Sequence, residues 1–97
     1  MIEVRTTEIA EICRRYALRE LALFGSSLRD DFAADSDVDV LIEPGPGTPR
    51  GFAMLGSLQE ELEAVFGRPV DLVTVGGLSP YLRDEILSTR RSIYVEA

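Results

Sequence analysis

The sequence predicts an α/β layer structure, an internal sheet covered by helices, and three observations predict it. Helical and strand periodicities alternate along the chain in the order helix, strand, short helix, strand, helix, strand, helix, strand. At 97 residues there is room for one domain, residues 1–97, and a 45% apolar composition is enough for a core of ordinary size. The single cysteine, Cys13, and the absence of histidine leave no internal disulfide and no Cys/His zinc site to hold the chain together instead.

The elements follow in order. Residues 6–16, "TTEIAEICRRY", set Ile9, Ile12, Cys13 and Tyr16 at i, i+3, i+4, i+7, the stripe of an amphipathic helix, with the threonines available as its N-cap. Cys13 falls on the buried face, where nothing nearby activates a thiolate. Residues 20–25, "ELALFG", read as a short apolar strand stopped by glycine, and "SLRDDF" as one or two helical turns after it. Residues 37–43, "DVDVLIE", form the second strand. The loop "PGPGTPRG", residues 44–51, has too many prolines and glycines for a regular element and is too short to be a domain linker.

A second long helix follows, with Leu55, Leu58, Leu62 and Val65 at helical spacing and Gly67 as its C-terminal cap. Residues 69–75, "PVDLVTV", make a β-branched strand with proline at the permissive first position. Then Ser79 is the N-cap and Pro80 the first residue of a last helix with Leu82 and Ile86 on one face, and "SIYVEA" closes the chain as a strand.

Composition excludes several functions. Seventeen acidic against ten basic side chains give a formal charge of −7, which opposes charge-driven binding to nucleic acid; a polyanionic ligand must come with metal ions or meet a local patch of opposite sign. No apolar run reaches the roughly 20 residues of a membrane span, and the N-terminus has no signal-type apolar stretch, so a cytoplasmic protein without a membrane partner is expected.

The aspartates carry the chemistry. Along a strand, Val38, Val40 and Ile42 face one way and Asp37, Asp39 and Leu41 the other, with the two carboxylates about 7 Å apart at the backbone. Asp71 repeats the pattern between Val70 and Leu72. If the two strands are neighbours, three carboxylates converge, and their repulsion is relieved either by a divalent cation or by capping strand ends and pairing with arginines. Mg²⁺ or Mn²⁺ suits such hard oxygen ligands, and two ions about 4 Å apart serve phosphoryl or nucleotidyl transfer. "DSDVDV" opens like a calcium-binding EF-hand loop but puts Val40 at its sixth position and Pro46 at its twelfth, where glycine and glutamate are required. Gly25-Ser26, between strand and helix, is either an ordinary turn or a place where free amides and the Ser26 hydroxyl bind phosphate oxygens.

Gly25-Ser26, ten intervening residues and Asp37-Val38-Asp39 together resemble the G-S-x(10)-D-x-D signature of the DNA polymerase β-like nucleotidyltransferase superfamily. The length and the phrases "LFGSSLRDDF", "DSDVDVLIE" and "GGLSPYLRDEIL" look most like its minimal members, the MNT proteins, and the resemblance covers nearly the whole chain. It implies an α/β fold with a small mixed sheet flanked by helices. It also implies two Mg²⁺ ions on Asp37, Asp39 and Asp71, with an ATP-type triphosphate on Gly25 and Ser26. Asp71 would also help activate an acceptor hydroxyl. Arg29 matches a frequent family arginine and faces phosphate, or else pairs with Asp30 or Asp31. Leu28 and Asp30 depart from the small residue and glycine of many relatives, which bears on the pose of the nucleotide.

MNT proteins are commonly the antitoxins of HEPN-domain ribonuclease toxins, transferring AMP from ATP to a toxin tyrosine. The resemblance therefore implies a HEPN-domain partner as acceptor, and a negative surface suits a basic one. The alternatives are an antitoxin that neutralises its partner by complex formation without catalysis, and transfer to a small molecule or a nucleic acid end. The short chain and its acidity count against the latter two acceptors. Self-association is compatible with the sequence.

Overall fold

A computed structural model describes residues 4–29 and 36–96. Its elements are α1 (Thr6–Arg15), β1 (Leu18–Leu23), a 3-10 turn (Gly25–Leu28), β2 (Val38–Pro44), α2 (Phe52–Phe66), β3 (Val70–Thr74), a second 3-10 turn (Val75–Gly77), α3 (Pro80–Thr89) and β4 (Arg91–Val95). The predicted alternation is present. The four strands form one mixed sheet in the order β3-β2-β1-β4. β1 is antiparallel to both β2 and β4, while β2 and β3 run parallel. Parallel neighbours cannot be joined by a tight turn, and α2 supplies the crossover between them.

Several boundaries differ from expectation. α1 is capped by the backbone of Arg5 rather than by a threonine, because Thr6 is already its first helical residue. β1 begins two residues earlier than "ELALFG" suggests: Ala17 takes a left-handed φ of +55° that ends the helix, so Leu18 enters the sheet and is fully buried. The expected turns of helix after β1 are a four-residue 3-10 turn containing the Gly-Ser pair itself, and the rest of "RDDF" lies outside the described residues. β2 starts at Val38, so Asp37 precedes the strand, β3 starts at Val70, after Pro69, and β4 starts at Arg91.

The core lies between the sheet and α1 and α2. Ile9, Ile12 and Cys13 of α1, Leu58 and Leu62 of α2, Leu21 and Leu23 of β1, and Val38, Val40 and Ile42 of β2 form one buried cluster. Leu55, Val65 and Tyr16 pack partly buried against it, as their helical spacing predicts. A shift in register between Leu18 and Glu20 lets Leu18 join Leu21 and Leu23 in this cluster. Burial raises the Cys13 thiol to about 12, so the group is inert packing, as expected. Gly67 ends α2 with a left-handed φ of +71°, and the N–H of Gly67 donates to the Glu63 carbonyl at 2.8 Å.

On the opposite sheet face, the paired residues Ala22 and Leu41 are buried. Glu20 lies two residues before Ala22 and takes a bidentate contact from Arg90, at 2.7 and 3.2 Å. α3 begins as predicted, with Ser79 Oγ accepting from the Tyr81 N–H and Pro80 at the first position. Its expected apolar face does not become core. No residue of α3 is buried and Leu82 is half exposed; the helical side of the cluster comes from α1 and α2.

Candidate active site

β2 is the centre of the site because it touches both other parts. In the parallel β2–β3 ladder Asp39 and Asp71 are direct partners, about 4.8 Å apart at the backbone. The neighbouring pair Val38 and Val70 is buried, and the N–H of Val38 donates to the Pro69 carbonyl at 2.9 Å, fixing the register where the aspartates emerge. Asp71 is exposed and Asp39 half-buried. Alternation sends Asp39 and Leu41 away from the face that Val38, Val40 and Ile42 give to the core. The strand can therefore hold a charged group in the middle of an apolar run without burying it in the helical layer.

The other contact is with the turn after β1. Gly25 takes a left-handed φ of +60°, and a Cβ built there would stand 2.8 Å from Asp39 Oδ2. Only a glycine admits the carboxylate so near. Ser26 faces the same oxygen, its N–H donating to Asp39 Oδ2 at 3.3 Å and its hydroxyl at 3.0 Å. The Gly25-Ser26 turn and the Asp39 strand, separated by one short excursion of the chain, meet in space, with Asp39 taking the donors of Ser26. Arg29 is exposed and closes the 3-10 turn, its N–H donating to the Ser26 carbonyl at 3.1 Å. The suggested partners Asp30 and Asp31 lie outside the described residues.

Asp37 is exposed and stands just outside the strand, two residues before Asp39. Among the described residues no three acidic side chains gather into a ready-made metal cage. The expected convergence is therefore one of backbone placement, since the Asp39 carboxylate is turned toward Ser26. The donor set still fits a hard divalent cation: carboxylates from two neighbouring strands, with a third from the residue before β2, and exposed enough to reorient.

Sequence reasoning missed Ser27. It is nearly buried, and its Oγ accepts the Asp39 N–H at 2.7 Å. Its only signal was a second serine after the Gly-Ser pair. The cavity of about 450 Å³ lined by Pro44, Arg50, Phe52, Met54 and Thr74 opens at the far ends of β2 and β3. It is about 16 Å along β2 from Asp39 and plays no part in this constellation.

Residues 7–93 match the family of the nucleotidyltransferase domain. The protein adenylyltransferase MntA of Thermococcus cleftensis is 34% identical over 92 residues, covering 95% of this chain and 89% of that protein. A protein of Methanocaldococcus jannaschii, provisionally named a protein adenylyltransferase, is 35% identical over 81 residues, 84% of this chain and 85% of its own. Among solved structures, a toxin-antitoxin complex with AMP-PNP superposes with a TM-score of 0.76 at 19% identity, covering 96% of this chain and 75% of that one. A complex of a tri-AMPylated Shewanella oneidensis HEPN toxin with its MNT antitoxin superposes with a TM-score of 0.65 at 18% identity, covering 94% and 70%. These two likenesses establish the fold, and the mixed sheet with its helices is the one expected. No helix among the described residues is long and apolar enough to cross a membrane. With a domain match over nearly its whole length and adenylyltransferase relatives more than 30% identical across most of it, the chain belongs to the nucleotidyltransferase family, as an enzyme of the minimal MNT type.

Proposed function

We propose that this enzyme transfers AMP from ATP, with Mg²⁺ and with Mn²⁺ as a substitute, to a tyrosine hydroxyl of a HEPN-domain partner, and that it acts as that partner's antitoxin in the cytoplasm. The observation that carries this reading is the direct register of Asp39 with Asp71 beside the Gly25-Ser26 turn. The names of the relatives support protein adenylylation, and the AMP-PNP and AMPylated-toxin complexes support ATP and a HEPN acceptor.

The roles follow from placement. Asp37, Asp39 and Asp71 would hold the cations, which would supply polarisation of the α-phosphate and a more acidic acceptor hydroxyl. Ser26 would offer its N–H and hydroxyl, which now donate to Asp39, to the triphosphate, and Gly25 keeps side-chain bulk out of that path. Arg29 adds positive charge at the exit of the turn. The acceptor oxygen attacks the α-phosphorus, the bond to the bridging oxygen breaks, pyrophosphate leaves, and the hydroxyl proton passes to Asp71. An acceptor protein docks on this domain through a surface of its own, which brings its tyrosine to the aspartates.

The test is transfer of label from [α-³²P]ATP to a HEPN-domain protein that co-purifies with this chain. Label on a tyrosine of that protein is expected, abolished by chelator and by joint Asp39→Asn and Asp71→Asn substitution. A complex that neutralises the toxin equally well with both aspartates replaced, and without label, would establish the non-catalytic antitoxin instead.

A further inference from the structure

Ser27 is the first of the ten unspecified residues in the G-S-x(10)-D-x-D spacing, yet its hydroxyl completes a ladder that would otherwise break at Asp39. In β1–β2 the pair Leu23 and Val40 makes Phe24 the next partner of Asp39, and the Phe24 N–H donates to the Asp39 carbonyl at 3.2 Å. The reciprocal acceptor, the Phe24 carbonyl, is taken by the Ser27 N–H at 3.3 Å as β1 passes into the 3-10 turn. Ser27 Oγ substitutes for it, accepting the Asp39 N–H at 2.7 Å. Ser27 is 6% exposed, so water cannot readily fill that place.

We propose that Ser27 is a positioning residue for nucleotidyl transfer: its hydroxyl fastens the backbone of Asp39 to the Gly25–Leu28 turn. The carboxylate that holds metal and the donors that hold phosphate are thereby kept at a fixed separation. This rests on the roles proposed for Asp39 and Ser26. Ser26 reaches the Asp39 side chain, which must let go when ligands bind, whereas Ser27 reaches the main chain and need not. Without Oγ the Asp39 N–H loses its acceptor at the start of β2 and the aspartate loosens relative to the turn. Loss of outer support for a metal ligand typically costs about 10–100-fold in metal affinity or activity.

The experiment compares Ser27→Ala, Ser27→Cys and Ser27→Thr with the parent chain. The readouts are Mn²⁺ affinity by electron paramagnetic resonance, kcat and KM for ATP in AMP transfer, and thermal melting. Alanine is expected to weaken Mn²⁺ binding and to lower kcat, each about 10-fold or more, with KM for ATP changed less than about threefold. Cysteine, a weak acceptor, should follow alanine, and threonine, which keeps the oxygen, should restore most of both. Mn²⁺ affinity within twofold of the parent in a folded alanine or cysteine variant would overturn the assignment. So would failure of both to fold, since the hydroxyl would then hold the domain rather than the site. If the parent itself transfers no AMP, the proposed function fails, and the Mn²⁺ comparison still decides the role of Ser27.

Discussion

Replacing Gly25 by alanine separates backbone strain from chemistry, because Gly67 provides a matched control. Both glycines hold a left-handed φ, +60° and +71°. An L side chain there costs about 1–2 kcal/mol in either position. At Gly67 a Cβ meets nothing within 4 Å, so this strain is the whole effect. At Gly25 the Cβ would lie 2.8 Å from Asp39 Oδ2, and the carboxylate must withdraw by roughly half an ångström to reach ordinary contact. Since Oδ2 ends a short, half-buried side chain, it gives way at little added cost in stability but forfeits its geometry with Ser26. Thermal melting should therefore fall by a similar amount in both variants, about 4–8 °C per kcal/mol for a domain of this size. AMP transfer measured by radiolabel should fall about 10–100-fold in Gly25→Ala, given what misplacements near 1 Å cost, and stay within about twofold in Gly67→Ala. Full activity in Gly25→Ala, or equal loss in both, would refute the claim that close approach to Asp39 is what requires the glycine.

Other outcomes follow from the core and the charged face. Leu58→Ala removes a fully buried side chain from the cluster joining α2 to the sheet and should cost about 2–5 kcal/mol, read by urea unfolding. Arg90, and then Ser92, hold the Glu20 carboxyl below its ordinary value of 4.5. A carboxyl lowered on folding stabilises the native state above its unfolded value and loses that effect as pH falls through the lower folded one. Melting temperature should therefore drop below about pH 4.5, and Glu20→Gln should cost about 1 kcal/mol at pH 7 and flatten the acid slope. Part of that slope persists in this variant, because Arg15 and Tyr16 lower Glu61 in the same way. Cys13, raised to about 12 by burial, should resist a thiol reagent at pH 8 in the native protein and react fully in denaturant.

Much of this was legible in periodicity and punctuation. The stripes Ile9, Ile12, Cys13 and Leu58, Leu62 are core because a 3.6-residue period leaves one face to bury. Ser79-Pro80 and Gly67 end or begin helices for local reasons of backbone geometry, and the structure keeps them there. The start of β1 was misplaced because nothing local marks Ala17 as left-handed; tertiary burial of Leu18 imposes it. Leu82 and Ile86 have helical spacing, but periodicity reports a face and not whether anything covers it.

The candidate site divides along the same line. The sequence by itself determined which residues are chemically able to act, Gly25, Ser26, Asp37, Asp39 and Asp71, and that Asp39 and Asp71 each stand on a strand with apolar neighbours turned the other way. Strand neighbourhood is a long-range property. Only the tertiary structure paired Asp39 with Asp71 across parallel strands, set the Gly25-Ser26 turn against that carboxylate, and assigned Ser27 to the vacant place in the ladder. Those contacts join residues 12 to 32 positions apart, and they follow from the sheet order β3-β2-β1-β4, in which α2 makes the parallel crossover from β2 to β3 and which no local pattern encodes.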